Sequence, residues 1–236
     1  MAYIGKVPTA VPLTSSDLAD SIVTSAKITD GTITLADLSA TGTKDATTFL
    51  RGDNTFAEAG GGAYELLSTT NVSSAVATVD FTSNIDSTYK NYLFTYTDVR
   101  PVTDGARLEL RFFSSAGSPD TGVKYRYASR SLRDNGDSSN AVSGVGGDGT
   151  IVTMAYYTGT DADDLLSGQF ILHNPAGTDG RKLVHGTSTG MQTDTATFYS
   201  YFSANYAETS NAVTGVRFFF NSGNIEKGIF KLYGIN

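Results

Sequence analysis

The aliphatic residues Leu13, Leu18, Val23, Ile28, Ile33 and Leu38 recur at every fifth position of LTSSDLADSIVTSAKITDGTITLADL, residues 13 to 38. A helix face repeats about every 3.6 residues and a strand face every 2, so neither regular element gathers this row on one side. A small residue (Ser16, Ser21, Ala26, Gly31 or Ala36) sits two places before each aliphatic from Leu18 onward. Small, then aliphatic two places later, is the pattern of a quadrilateral β-coil of pentapeptides. One turn of such a coil consumes nearly the whole stretch, and stacked repeats need neighbours to close a core. A single chain would leave Leu18, Val23, Ile28, Ile33 and Leu38 facing water. Three chains around one axis bury all three rows together, which makes a homotrimeric β-type shaft over residues 14–46 the first expectation. An extended arm laid on another protein ranks second, and disorder third.

The run EAGGGA, residues 58 to 63, marks a joint, because three glycines offer no side chain to pack. Ahead of it the only aromatics are Tyr3, Phe49 and Phe56, whereas every other tyrosine and most phenylalanines follow it. Composition thus divides the chain into an arm (1–13), a shaft (14–46), a joint with its glycine linker (47–62) and a head (63–236). In the head, YLFTYTDV (92–99), ARLELRFF (106–113), GVKYRYAS (122–129), TIVTMAYY (150–157), LSGQFILH (166–173), KLVHGTST (182–189), TFYSYFSA (197–204), TGVRFFF (214–220) and GIFKLYG (228–234) read as strands. Turn clusters such as HNPAGTDGRK and NSGNIEKG separate them. Many strands with short connections predict an all-β head, an antiparallel sandwich of jelly-roll type. The head is long enough to bury its own core; the pentad stretch is not.

The net charge is −7 and no block of Lys or Arg stands out, so a phosphate backbone finds no clustered cations and nucleic acid is not an expected partner. There are no cysteines, which excludes disulfides and thiolate metal sites and fits folding in a reducing cytoplasm. MAYIGKVPTAVPL lacks the apolar core of a signal peptide, and no run approaches the roughly 20 apolar residues of a membrane span, so no membrane insertion is expected. The prolines Pro8 and Pro12 keep the opening segment extended. Its side chains Ile4, Val7, Pro8, Val11 and Leu13 are candidates for docking into a groove of another protein; a frayed terminus is the plain alternative.

Three segments resemble one family. The pentad stretch is similar to the repeats near the N-termini of bacteriophage tail-fibre-like proteins. TTFLRGDNTFAEAGGG (47–62) resembles a recurrent segment, commonly FLRGDGTW, ahead of their heads, with Asn54 where Gly is common and Phe56 where Trp is common. The ending GVRFFFNSGNIEKGIFKLYGIN resembles the terminal strands of small β-sandwich heads on phage virion proteins. The resemblance implies a structural virion protein assembled in the bacterial cytoplasm. It would be a trimeric tail fibre whose N-terminus attaches to an adaptor or nozzle protein of the tail. Its head would bind a host-surface glycan or protein receptor. A capsid decoration or cement protein is the alternative, and a tailspike depolymerase ranks behind it.

Little in the sequence points to catalysis or to a cofactor. A depolymerase needs a pair of carboxylates about 5–9 Å apart in a cleft. Glu109, Asp98 and Asp104 are available, but alternation with Leu108 and Leu110 predicts Glu109 on a solvent face. No nucleophile-elbow pattern occurs, and the expectation is a protein that is not an enzyme. Arg51-Gly52-Asp53 reads as a local turn rather than an adhesive tripeptide. His173 and His185, flanking a hairpin loop, lie near but not opposite one another, too few for a metal centre. Asp161, Asp163 and Asp164, and likewise Asp134 and Asp137, read as solvated turns, since the glycine turn and distant bidentate Glu of a calcium loop are missing. Sugar surfaces favour aromatic planes edged by hydrogen-bonding groups. Tyr125, Arg126, Tyr127 and Arg130, with Tyr199, Tyr201 and Tyr206, are therefore the receptor-contact candidates. Packing of these tyrosines in the core or in a seam between subunits is the plainer reading.

Overall fold

A computed structural model of the chain describes residues 14, 20–37, 39–58, 62–114, 117–134, 142–192, 196–207 and 210–236, with backbone alone at 35 and 142–148. The docking candidates Ile4, Val7, Pro8, Val11 and Leu13, and the row members Leu18 and Leu38, lie outside the described residues. The chain divides into two compact units, Met1–Gly60 and Gly61–Asn236.

In the first unit the pentad stretch departs from the β-type expectation: its described residues form two single 3-10 turns, Ser25–Lys27 and Leu35–Asp37, and no strand. A lone strand has no ladder to join, so its backbone groups bond locally. Lys27 N–H donates to Thr24 O at 2.9 Å, and Thr34 donates to Asp37 Oδ2 through both backbone N–H and hydroxyl, each at 2.8 Å. These turns bury none of the row. Val23, Ile28 and Ile33 are 55%, 39% and 57% exposed, and Ala40 alone is buried among the unit's described residues. The hairpin of β1 (Thr48–Leu50) and β2 (Phe56–Glu58) follows. Arg51-Gly52-Asp53 forms its turn. Asp53 Oδ1 accepts from both the backbone and the hydroxyl of Thr55, at 3.1 and 2.6 Å, and these bonds hold the Asp53 carboxyl below the usual range. Asn54 adopts φ +62°, a left-handed conformation that Asn tolerates better than most residues and Gly better still.

The described residues of the second unit form twelve strands: β3 (Tyr64–Val72), β4 (Val79–Phe81), β5 (Asn91–Pro101), β6 (Ala106–Phe113), β7 (Tyr125–Arg133), β8 (Val142–Gly149), β9 (Val152–Thr158), β10 (Leu166–His173), β11 (Lys182–Met191), β12 (Thr197–Tyr206), β13 (Gly215–Phe220) and β14 (Ile225–Ile235). They form an eight-stranded sheet in the order β3-β14-β5-β10-β11-β12-β7-β8 and a four-stranded sheet in the order β4-β13-β6-β9. Every strand pairing is antiparallel.

Alternation fixes which side of each strand is dry. Along β12, Phe198, Ser200, Phe202, Ala204 and Tyr206 point inward between exposed neighbours. The two sheets pack face to face around Phe218 of β13. Its ring meets Phe94, Tyr96, Phe170 and Phe230 of the larger sheet, with centroids 6.1, 6.1, 5.8 and 5.1 Å away. Burial does not follow alternation everywhere in the smaller sheet, and Glu109 is the charged exception. Glu109, expected on a solvent face, is only 5% exposed. It stands opposite Phe219 on the outer side of the smaller sheet, 3.7 Å from Arg107 Nε, and the Arg111 guanidinium lies 4.7 Å over Phe219. Long cationic side chains and a ring shield it where a strand face would otherwise be wet. Burial pushes its carboxyl upward, against the pull of Arg107 and Arg111.

Candidate functional site

Strand register assembles residues that are far apart in sequence on the outer face of the eight-stranded sheet. One row runs across six strands, from Lys231 to Thr95, Gln169, Thr187, Tyr201 and Arg130. The adjacent row carries Ser167, Thr189, Tyr199 and Leu132. Between the rows lies a depression of about 530 Å³ lined by Thr95, Thr97, Ser167, Gly168, Gln169, Thr187, Ser188, Thr189 and Tyr199. A second, of about 380 Å³, lies beyond Tyr199 and shares Thr189 and Tyr199 with the first. Tyr199 thus stands as a partition between two hollows.

Two local irregularities make the hollow. The β5–β10 register slips between Leu166 and Gly168, and Asp98 opposite takes φ +54°, a bulge of the kind that re-aims neighbouring side chains. The second is Gly168 itself. A Cβ there would come within 2.5 Å of the Tyr96 hydroxyl and 2.4 Å of Thr187 O, so no larger residue fits. Tyr96 closes the floor from below. Its hydroxyl donates to Ser188 Oγ at 2.5 Å, and Ser188 donates in turn to Met154 O of β9 at 3.0 Å. Burial pushes the Tyr96 phenol well up, so it remains a donor throughout the ordinary pH range. The floor is therefore tied to the strand behind it.

Of the receptor-contact candidates, four share this face and three do not. Tyr199 and Tyr201 are 47% and 45% exposed, with ring centroids 6.4 Å apart. Arg130 sits opposite Tyr201, and Arg126 opposite Asn205 farther along β12. Tyr125 and Tyr206 must be withdrawn, since both are wholly buried. They point inward on the opposite parity, where the Tyr206 hydroxyl donates to Asp120 Oδ2 and that of Tyr125 to Asp120 O, at 2.5 and 2.8 Å. Burial raises the Asp120 carboxyl, but the bonds from Tyr206 and Lys124 outweigh it and the net shift is downward. Tyr127 also faces inward, half-buried and packed against the core. Sequence reasoning missed Thr95, Gln169 and Thr187. They are common residues in ordinary strands, and only the strand order makes them neighbours.

The other candidate groups are local structures. His173 Nδ1–H donates to Asn91 Oδ1 at 2.9 Å, which leaves Nε2 to accept from His185 Nδ1–H at 3.1 Å. The two are diagonal, as the hairpin predicts, since His173 pairs with Leu183 and His185 with Ile171. Desolvation and the neighbouring His185 lower the His173 pKa. Among the described residues no cluster of three metal-ligating side chains exists. Asp164 is buried and ties its own turn, accepting from Asp161 N–H at 3.0 Å. The first hollow has no carboxylate in its lining. Asp134 lines the second, and its Oδ1 is taken by Thr197 N–H at 2.9 Å. No helix among the described residues is long and apolar enough to cross a membrane. No protein-family model, no curated protein and no solved structure matches the chain.

Proposed function

We propose that this chain is a structural protein of a bacteriophage virion, a homotrimeric tail fibre that attaches through its N-terminal part and binds the host surface through its head. The observation that carries the reading is the open pentad row. A unit whose described residues bury only Ala40, while holding Val23, Ile28 and Ile33 in water at constant spacing, is incomplete alone. Exposed aliphatics at a fixed repeat call for other chains to cover them. The described residues of the pentad stretch are 3-10 turns, so the shaft in this reading closes by stacking such turns from three chains rather than by strands. The head supports the presenting role. It has its own aromatic core, and we read its two antiparallel sheets as a jelly-roll-like sandwich. Its outer face offers hydroxyls, an amide and two tyrosine rings, the chemistry of a sugar-binding surface. Binding proceeds without catalysis.

Antibodies raised against residues 63–236 test the reading on virions. Label at the tail in a few trimers per particle is the expected result. Label over the capsid at most lattice points would overturn it in favour of a decoration protein, with the pentad row clamped on the shell. Release of reducing ends from host polysaccharide would turn the reading to a depolymerase.

A further inference from the structure

The charged residues of the row that spans the hollow are both cations, opposite in sign to the net charge of the protein, and this narrows the ligand. The chain carries a net charge of −7. Yet the row that spans the hollow begins at Lys231 and ends at Arg130, with Thr95, Gln169, Thr187 and Tyr201 between them and no carboxylate. Among the described residues neither cation is in a salt bridge with a side chain of this protein. Arg130 is exposed, beside a ring that stands clear of the sheet. Asp98 and Asp134 lie near this face, but the row and the first hollow hold no carboxylate, and a polar strip with a cation at each end attracts anions.

Resting on the receptor-binding reading above, we infer that the ligand is an acidic polysaccharide bearing carboxylate groups, laid across the strands along this row. Each group then has a role. Tyr201 offers its plane to the C–H face of a sugar on the row, and Tyr199, 6.4 Å away in the adjacent row, flanks the same stretch of polymer. Gln169 and the threonine hydroxyls fix ring hydroxyls from below. The planar fork of Arg130 takes a carboxylate in two parallel hydrogen bonds. The spacing of the cations argues for sparse charge. Five inter-strand steps of about 4.8 Å place Lys231 roughly 24 Å from Arg130. Two cations that far apart match a polymer with one acid every few sugars better than one with a phosphodiester at every link.

The test uses the full chain and its Arg130→Gln/Lys231→Gln variant. Arg130 is exposed and Lys231 half-buried on the outer face, and neither is in the core, so the variant is expected to keep the melting temperature of the parent. The probes are gellan and hyaluronan, with one uronate per four and per two sugars, their carboxyl-reduced forms, neutral dextran and a glycerol-phosphate teichoic acid, read by calorimetry. The expected result is binding of at least one carboxylated polymer, lost on carboxyl reduction. Affinity should weaken at least tenfold in the double variant and fall with added salt. Equal binding of the acidic and reduced forms, unchanged in the variant, would overturn the inference but leave the receptor reading standing. Preference for the teichoic acid would overturn carboxylate in favour of phosphate. Binding of no polysaccharide by a protein that still coats bacterial cells would overturn the glycan ligand. Failure to bind either polysaccharide or cells would overturn both the inference and the receptor reading.

Discussion

Phe218 in the head is wholly buried and meets the rings of Phe81, Phe94, Tyr96, Phe170 and Phe230, whereas Ile33 in the N-terminal unit is 57% exposed. Both are large apolar side chains, and burying either stabilises by about 1.5–3 kcal/mol. The head collects that within one chain because strands alternate. Every second residue of β5, β10, β12 and β14 faces a second sheet. Among the described residues of its unit nothing buries Val23, Ile28 or Ile33, and in the proposed reading the same gain waits for assembly. In that reading one region is a fold and the other is one chain's share of an interface.

The largest effect that sharpens this contrast belongs to the core. Phe218→Ala leaves a cavity among five rings and is expected to cost about 3–5 kcal/mol, read as a lower melting temperature of residues 63–236. Ile28→Asp/Ile33→Asp should do the reverse. It should leave the melting of the head unchanged while the full chain falls from trimer to monomer on a sizing column. Survival of the trimer would break the comparison. Gly168→Ala comes next, since its Cβ would press on Thr187 O and the Tyr96 hydroxyl. A loss of about 1–3 kcal/mol in head stability is expected, together with weaker polysaccharide binding as the floor shifts. The smallest effect is a pH dependence. His173 holds its proton less tightly in the folded head than in the unfolded chain. The unfolded state therefore binds more protons as pH falls through about 6.5, and head stability falls with it. Melting curves between pH 7.5 and 5 should show a shallower decline for His173→Gln; an identical decline would remove His173 as the cause.

The strands that sequence reading found and those it overlooked follow the same physics. Interior strands such as β5 and β12 announce themselves through alternating aromatics, because both flanks are paired and one face is dry. The overlooked strands β3, β4 and β8 are all sheet edges. In YELLSTTNV and VSGVGGDG one flank is free, packing demands are weaker, and polar residues or glycines are tolerated. The site was legible to the same degree. Tyr199 and Tyr201 alternate against Phe198 and Phe202, so parity alone separates them from Tyr206, which shares the phenylalanine side. In KYRYASR the tyrosines and arginines likewise take opposite faces. The hollow itself was not legible. It depends on strand order placing β10 between β5 and β11, and on a bulge of β5 at Asp98, and neither leaves a mark in local sequence.

The central claim is that the pentad row is a surface made for other copies of the chain. Light scattering on a sizing column, run on the full chain and on residues 63–236, tests it most directly. The account predicts a full chain at three times its 24.9 kDa mass and a monomeric head. A full chain at 24.9 kDa would contradict it and hand the row to a different protein. A head that trimerises by itself would move the assembly contacts out of the pentad row altogether.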